Sequence, residues 1–100
     1  MKRRRPIPRF KLGRLVATPG ALEHLRRIHS DPLEWLRRHQ HGDWGDVDSQ
    51  DRAANEQALQ AGHRLLSVYR IHRPPHPPFR LWIITEADRS ATTLLLPEEY

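Results

Sequence analysis

The chain has no cysteine among its 100 residues. This absence excludes a disulfide framework and any metal site built on thiolates, so the fold depends on packing, alone or together with self-association. Long hydrophobic runs are also missing, and none approaches the ~18 apolar residues that a membrane-spanning helix needs. The basic N-terminus continues into Pro6-Ile7-Pro8 rather than into an apolar segment, unlike a secretory signal peptide. We therefore expect a soluble, cytoplasmic protein.

Acidic residues are scarce in the first 30 positions, where Glu23 is the single acid beside nine Lys and Arg residues. The net charge is +5, and the acids are concentrated further along, in residues 43–56. A basic cluster attracts polyanions because each neutralised phosphate releases counterions. The alternative is a solvated tail that improves solubility. The cluster predicts nucleic-acid contacts from Lys2, Arg3, Arg4, Arg5, Arg9, Lys11 and Arg14.

The hydrophobic fraction limits the chain to one small domain. Only 37% of the residues are hydrophobic, so the core must be compact, but this fraction is too high for a fully disordered chain. The prolines and basic residues of the N-terminus cannot bury apolar surface. We expect a flexible basic arm at residues 1–9 and one folded domain at residues 10–100.

Three apolar runs dominate the C-terminal third of the chain, at residues 65–71, 79–85 and 91–96. They are short, rich in β-branched and aromatic residues, and bounded by turn-forming residues, a pattern typical of an antiparallel meander. We expect Leu65, Ile71, Leu81, Ile83 and Leu95 to lie in the core. An earlier strand is expected at residues 10–18, on the edge of the sheet.

Three helix starts can be read between the first strand and the meander. Thr18 and Asp31 each precede a proline, and Asp48 precedes an alanine-rich segment, so all three residues are expected to be N-caps. Gly42 and Gly62 are natural helix ends. The predicted fold is a single α+β domain of order β-α-α-α-β-β-β. Its sheet is mostly antiparallel, with the helices on one face.

Two arginines fall within the meander strands and suggest a second basic surface. If Arg70 and Arg80 share a face of the sheet, that face is positively charged. With Tyr69 or Trp82 on or beside it, such a face suits RNA or single-stranded DNA, because bases stack on aromatic rings while cations bind phosphates. We include Arg70 and Arg80 among the predicted nucleic-acid-binding residues.

The segment from Gly42 to Asp48 is an acidic, glycine-rich loop around one tryptophan. Asp43, Trp44 and Asp46 are candidate partner-binding residues for a basic protein surface. Trp44 either pins the loop onto the sheet or stacks on a ligand. The aspartates do not follow EF-hand spacing, and we predict neither a metal site nor a cofactor.

A second polar cluster lies between the last two apolar runs, at Glu86, Asp88 and Arg89. It fits an ion-pair network that orders a hairpin turn, or a polar functional site. The seven histidines show no helical pair spaced for a metal, and most are expected on the surface.

The order of elements resembles the RelE/ParE family of small bacterial toxins. The likeness rests on a strand that ends in Thr-Pro-Gly-Ala-Leu, an Arg-rich helical region and a later Tyr-Arg-Ile meander. Members of that family act on ribosome-bound RNA or on gyrase. The loop at Gly42–Asp48 and the third helix are departures from that family's usual plan, so this resemblance concerns the fold alone.

Several strings resemble a family of small bacterial proteins associated with plasmids and mobile elements. They are Gly-Asp-Trp-Gly-Asp at 42–46, Arg-Leu-Leu-Ser-Val-Tyr-Arg at 64–70, Ile-Thr-Glu-Ala-Asp-Arg-Ser at 84–90 and the terminal Leu-Pro-Glu-Glu-Tyr. The resemblance covers roughly residues 12–100 and omits the basic arm. No activity is established for that family, so the resemblance implies a setting rather than a reaction.

Taken together, these features predict a small basic nucleic-acid-binding accessory protein related to plasmids or mobile elements, without catalysis of its own. One alternative is a toxin-like ribonuclease that uses Arg, His and Tyr side chains. The other is a protein-interaction module that acts through the acidic loop. The expected partners are DNA or RNA, together with a possible protein partner or second copy of the chain, and no membrane.

Overall fold

The computed structural model describes residues 7–100, which form a mixed four-stranded sheet with three α-helices. In chain order the elements are β1 (Arg14–Ala17), α1 (Pro19–Arg27), α2 (Pro32–Gln40), α3 (Ser49–Ala61), β2 (Leu65–Ile71), β3 (Phe79–Thr85), β4 (Ala91–Leu95) and a final 3-10 turn (Pro97–Glu99). The predicted α+β fold and its element order are confirmed. No helix within the described residues is long and apolar enough to cross a membrane.

All three helices begin at the residues that the sequence indicated. The Thr18 hydroxyl accepts from the Ala21 N–H at 3.1 Å. The Asp31 and Asp48 carboxylates accept from the N–H groups of Leu33 and Asp51, at 2.9 and 2.7 Å. These bonds satisfy N–H groups that have no partner within the helix. The helix starts were therefore readable from local sequence alone.

The strands follow the order β1-β4-β3-β2. The meander is antiparallel as expected, while β1 joins its far side and runs parallel to β4. Strand β1 is shorter than the predicted 10–18 stretch because Gly13 bends the chain, with a φ of 67°. A side chain at Gly13 would collide with the backbone of Arg89 and Ser90, so glycine lets the two segments approach closely.

The main core lies between the sheet and the helices α1 and α2. Ala21, Leu25 and Leu36 from the helices pack against Tyr69, Ile83 and other inward-facing strand residues. Trp35 of α2 is only 5% exposed and belongs to this core. Its indole N–H donates to the Ser30 hydroxyl at 2.8 Å, so the ring is buried with its polar atom satisfied.

The five predicted core residues, Leu65, Ile71, Leu81, Ile83 and Leu95, are all buried. Ile71, Leu81 and Ile83 belong to the main core under the helices. Leu65 points to the same side of the sheet and packs against Ala58 of α3. Leu95 lies one residue out of phase with Leu94 and points to the opposite side of the sheet.

The outer edge of β2 is covered by Asn55 from α3. The Asn55 side chain accepts from the Leu66 N–H at 3.1 Å and donates to the Leu66 carbonyl at 2.7 Å. One amide thus satisfies both edge groups of a strand residue, which prevents this edge from pairing with another chain.

We expect Asn55→Ala to lower the free energy of unfolding by about 2 kcal/mol, because it leaves two partly buried backbone groups without partners. Chemical denaturation measures this loss. Gln57→Ala on the exposed side of the same helix is the control and is expected to change stability little. Equal stability of the two variants would contradict the role of Asn55.

A chain of hydrogen bonds crosses the interior between α2 and the sheet. His39 is 0% exposed, and its Nδ1 and Nε2 lie 2.6 and 2.8 Å from the hydroxyls of Ser67 and Thr85. Thr85 continues to Thr92 at 2.7 Å, and Thr92 donates to the Leu12 carbonyl at 2.7 Å. His39 is the one buried histidine, while the prediction placed most of the seven on the surface.

Candidate nucleic-acid interface

The side of the sheet opposite α1 and α2, here called the outer sheet face, carries the candidate site. Strand alternation and register assign side chains to it, since facing residues on paired strands share a side. Its members are Arg14, Val16, Leu66, Val68, Arg70, Arg80, Trp82, Ile84, Ala91, Thr93 and Leu95.

Arg70 and Arg80 are directly opposite each other in the pairing of β2 with β3. Both are exposed, and both lie on the outer sheet face. The two arginines therefore share one face of the sheet, as a basic surface on the meander requires. Like charges placed directly across two strands repel each other, which weakens the fold slightly. A phosphate bound between them would remove that repulsion.

Two aromatic rings lie on the same face. Trp82 is two residues after Arg80 on β3 and is partly exposed. Its ring centroid lies 5.6 Å from that of Tyr100, which is 72% exposed. Arg64 holds the Tyr100 hydroxyl at 3.1 Å and also pairs with Glu86 at 3.3 Å. No local sequence signal places Tyr100 beside Trp82, which is 18 residues earlier in the chain.

The remaining predicted basic residues are distributed unevenly. Arg14 extends the outer sheet face onto β1, and Lys11 is exposed just before it. Lys2, Arg3, Arg4 and Arg5 lie outside the described residues. Of the predicted nucleic-acid-binding residues that the structure describes, Arg14, Arg70 and Arg80 lie on strands of the sheet.

Arg9, assigned by sequence to the arm, is bound to the folded domain. Its guanidinium makes two bonds to the Glu56 carboxylate, at 2.8 and 2.7 Å, and its N–H donates to the Gln40 carbonyl at 2.9 Å. Two hydrogen bonds hold the pKa of Glu56 below its usual value: the larger effect comes from Arg9 and the smaller from the Trp44 indole. The described fold thus includes Arg9, whose charge is already paired.

The three candidate partner-binding residues of the acidic loop make contacts within the domain. Trp44 is 0% exposed and donates from its indole N–H to Glu56 at 2.8 Å. Its backbone carbonyl accepts from the Val68 N–H at 3.1 Å, so the loop continues the sheet beyond β2. Of the two roles considered for Trp44, this is the pinning arrangement.

The two aspartates beside Trp44 have internal partners as well. Asp46 accepts from the Arg70 N–H at 2.7 Å. Asp43 accepts from Arg38 at 2.7 Å and from the Gly45 N–H at 3.1 Å. Burial alone would raise the pKa of Asp43, but these bonds outweigh it and keep the pKa below its usual value. Both carboxylates remain exposed at the surface, with part of their charge already compensated.

The hairpin tip shows a structural use of Arg89. Its guanidinium donates to the carbonyls of His63, Glu86 and Ala58, at 2.6, 3.0 and 3.1 Å, which ties the β3–β4 turn to the end of α3. Asp88 accepts from the Ser90 N–H at 3.0 Å within the turn itself. Arg89 thus orders the tip through carbonyl acceptors rather than through an ion pair with Glu86 or Asp88, while Glu86 pairs with Arg64 instead.

Within residues 7–100 no group of three or more His, Asp or Glu side chains is arranged to hold a metal ion. Comparison with known proteins finds no matching family model, no matching curated protein and no matching solved structure. The outer sheet face is therefore the feature from which a function can be inferred.

Proposed function

We propose that this protein binds single-stranded nucleic acid, DNA or RNA, through its outer sheet face. On this proposal it is a small, non-catalytic accessory protein of a plasmid or mobile element. The observation that supports the proposal most directly is the facing pair Arg70 and Arg80, with Trp82 partly exposed beside Arg80 on the same strand. The two cations can bind the phosphate backbone, and a base can stack on the Trp82 ring.

Charge and shape both favour a single strand over a duplex. The outer sheet face is built from paired strands and offers no projecting helix for a major groove. A sheet with exposed aromatic residues instead stacks unpaired bases, each contributing about 1–3 kcal/mol of binding free energy. Arg14 adds a further cation to this face, with Lys11 exposed just before it. On this proposal Lys2, Arg3, Arg4 and Arg5, which lie outside the described residues, supply additional phosphate contacts.

The acidic loop is a weaker candidate for the main binding surface. Trp44 is buried, and Asp43 and Asp46 already bond to Arg38 and to the β2 backbone. A basic partner would have to compete with these internal bonds. The contacts within the loop are sufficient to explain its composition as a cover for the β2 edge.

Titration of the protein with short single-stranded oligonucleotides is expected to quench tryptophan fluorescence through Trp82, because a stacked base quenches an exposed indole. Trp35 and Trp44 are buried and cannot stack in this way. The quench should disappear in Trp82→Phe and persist in Trp35→Phe. Binding seen by anisotropy without any change at Trp82 would assign the contact to the N-terminal arm, and no saturable binding at low salt would refute the proposal.

The same samples distinguish the ribonuclease alternative. An RNA oligonucleotide recovered after the titration is expected to be intact on a denaturing gel. RNA cleavage that depends on the protein and resists ribonuclease inhibitors would favour the hypothesis of a toxin-like ribonuclease. Growth arrest on expression would favour the same hypothesis.

A further inference from the structure

A small cavity of about 100 Å³ lies between helix α1 and the proline-rich connection that joins β2 to β3. Three nitrogen-bearing side chains reach it: His24 and Arg27 from α1, and His76 from the connection. Here it is called the His24–His76 pocket. Of the described residues that line it, none carries a carboxylate. Glu23 pairs with Arg27, and Glu99 interacts electrostatically with His24, so carboxylates outside the lining compensate part of this charge. The lining groups themselves favour an anion over a cation.

His24 is held in a defined orientation. Its Nδ1 lies 3.0 Å from the Gly20 carbonyl, one turn earlier on α1. A carbonyl oxygen can only accept, so Nδ1 carries the hydrogen and Nε2 is the nitrogen left for a ligand. The ring also packs against Phe79, with centroids 4.9 Å apart. A protonated His24 would donate through Nε2 without moving.

The other two side chains are positioned by local structure. Arg27 follows His24 by three residues, so both lie on one side of α1. The Nε of Arg27 is 3.2 Å from Glu23, which places the guanidinium beside the helix. The backbone N–H of His76 donates to the Arg73 carbonyl at 3.0 Å, and flanking prolines restrict the connection.

The size of the pocket limits the ligand. Pockets for drug-sized molecules have volumes of about 300–1,000 Å³, so this one suits a group of only a few heavy atoms. The Arg27 guanidinium is a permanent donor, and His24 donates through Nε2 once its ring is protonated. Together with the His76 ring, these groups suit the oxygens of a tetrahedral oxyanion. A phosphate monoester, which carries more negative charge than a backbone phosphodiester, is the best fit.

We propose that the His24–His76 pocket binds the terminal phosphate of the nucleic-acid strand that lies on the outer sheet face. This inference rests on the proposed function and specifies the substrate: a strand with a phosphorylated end.

A second hollow of about 450 Å³ connects the pocket to the outer sheet face. It shares His24, Pro78 and Phe79 with the pocket and reaches Arg80. Glu98 also lines it, and this carboxylate repels a phosphate. The hollow therefore takes the sugar or base of the terminal nucleotide, while the next phosphate reaches Arg80 and Arg70. One nucleic-acid strand can therefore run without a break from the His24–His76 pocket to the outer sheet face.

The test compares three otherwise identical oligonucleotides with an internal dye: one with a 5′-phosphate, one with a 3′-phosphate and one with hydroxyls at both ends. One of the phosphorylated strands is expected to bind about tenfold more tightly than the hydroxyl strand, the gain expected from charge-assisted hydrogen bonds. His76→Gln should remove this preference without changing the affinity for the hydroxyl strand. His63→Gln, an exposed histidine outside the pocket, is the matched control and should keep the preference.

The outcomes separate the two proposals. Equal affinity of the normal protein for all three strands would overturn the pocket assignment and leave the outer sheet face intact as a binding surface. If no oligonucleotide binds, the proposed function fails. NMR with thymidine 5′-monophosphate then tests separately whether the pocket binds a phosphate. Ring signals of His24 and His76 that shift together would support the phosphate site, and unchanged signals would overturn it.

Discussion

Acidification from pH 8 to pH 5 is expected to lower the free energy of unfolding by about 2 kcal/mol through His39 alone. His39 is buried, and burial, followed by the nearby Arg89 charge, lowers its pKa from 6.5 to about 3. The folded protein therefore keeps this ring neutral over a range in which the unfolded chain binds a proton. Stability is lost as the pH falls below 6.5, and the loss continues until about pH 3.

The hydrogen-bond chain fixes which nitrogen of His39 carries the hydrogen. Thr92 donates to the Leu12 carbonyl, so its oxygen must accept from Thr85. The Thr85 hydrogen is then used, and Thr85 must accept from Nε2–H of His39. Ser67 donates to Nδ1 on the other side of the ring. Each donor in the chain thus has one acceptor in the neutral state.

Unfolding curves of the normal protein and of His39→Gln at several pH values check this prediction. The variant is expected to be less stable at pH 8, because an amide does not span both hydroxyls as the ring does. The gap should narrow by about 2 kcal/mol at pH 5, because only the normal protein loses stability through this residue. Carboxylates whose pKa the fold lowers, such as Glu56, reduce stability mainly as the pH falls below 4.5. Their effect therefore lies largely outside the range from pH 8 to pH 5.

His63→Gln serves as the control, because His63 is exposed and only its backbone carbonyl takes part in the contact with Arg89. A gap between the normal protein and His39→Gln that stays constant from pH 8 to pH 5 would contradict a neutral buried His39. Nitrogen chemical shifts of the ring give an independent check, since they should show the Nε2–H tautomer throughout this range.

The parts of the fold that sequence predicted well are those set by neighbouring residues. Strands β2 and β3 occupy the predicted residues 65–71 and 79–85, because alternation and flanking turns are local signals. Helix caps at Thr18, Asp31 and Asp48 are local in the same sense. The parallel direction of β1 is not local, since an apolar strand pattern carries no information about its partner.

The candidate site was only partly visible for the same reason. The sequence indicated Arg70, Arg80 and Trp82 as residues of neighbouring strands, and register places them on one face. The internal partners of Trp44, Asp46 and Arg9 are 12 to 47 residues away along the chain. No spacing rule connects residues at such distances. Composition marked these residues as unusual without showing that the domain itself uses them.

Reversing both facing arginines, in Arg70→Glu/Arg80→Glu, is expected to weaken single-strand binding at least about a hundredfold at low salt, since each change removes a phosphate contact and adds repulsion. The fold should be little affected, because one like-charge pair replaces another at the same register position. The slope of log affinity against log salt should decrease by about 1.4, the value for two lost contacts with a single strand.

The matched control is Arg37→Glu/Arg52→Glu, which changes two exposed arginines on α2 and α3. Both double variants lower the net charge from +5 to +1, so any effect of total charge is common to them. Only the change on the outer sheet face should cause the large loss. Equal weakening by the two variants would show that binding follows net charge, and the face would then have no special role.

The single variant Arg80→Glu separates binding from stability most clearly. It places a carboxylate opposite Arg70, so an attractive cross-strand pair replaces a repulsive one. The free energy of unfolding should rise by about 0.5 kcal/mol, while the affinity for a single strand falls about tenfold. A variant that is more stable and yet binds less well cannot be explained by damage to the fold. If Arg80→Glu kept full affinity, the facing arginines would have no part in binding, and the N-terminal basic residues would remain as the contact.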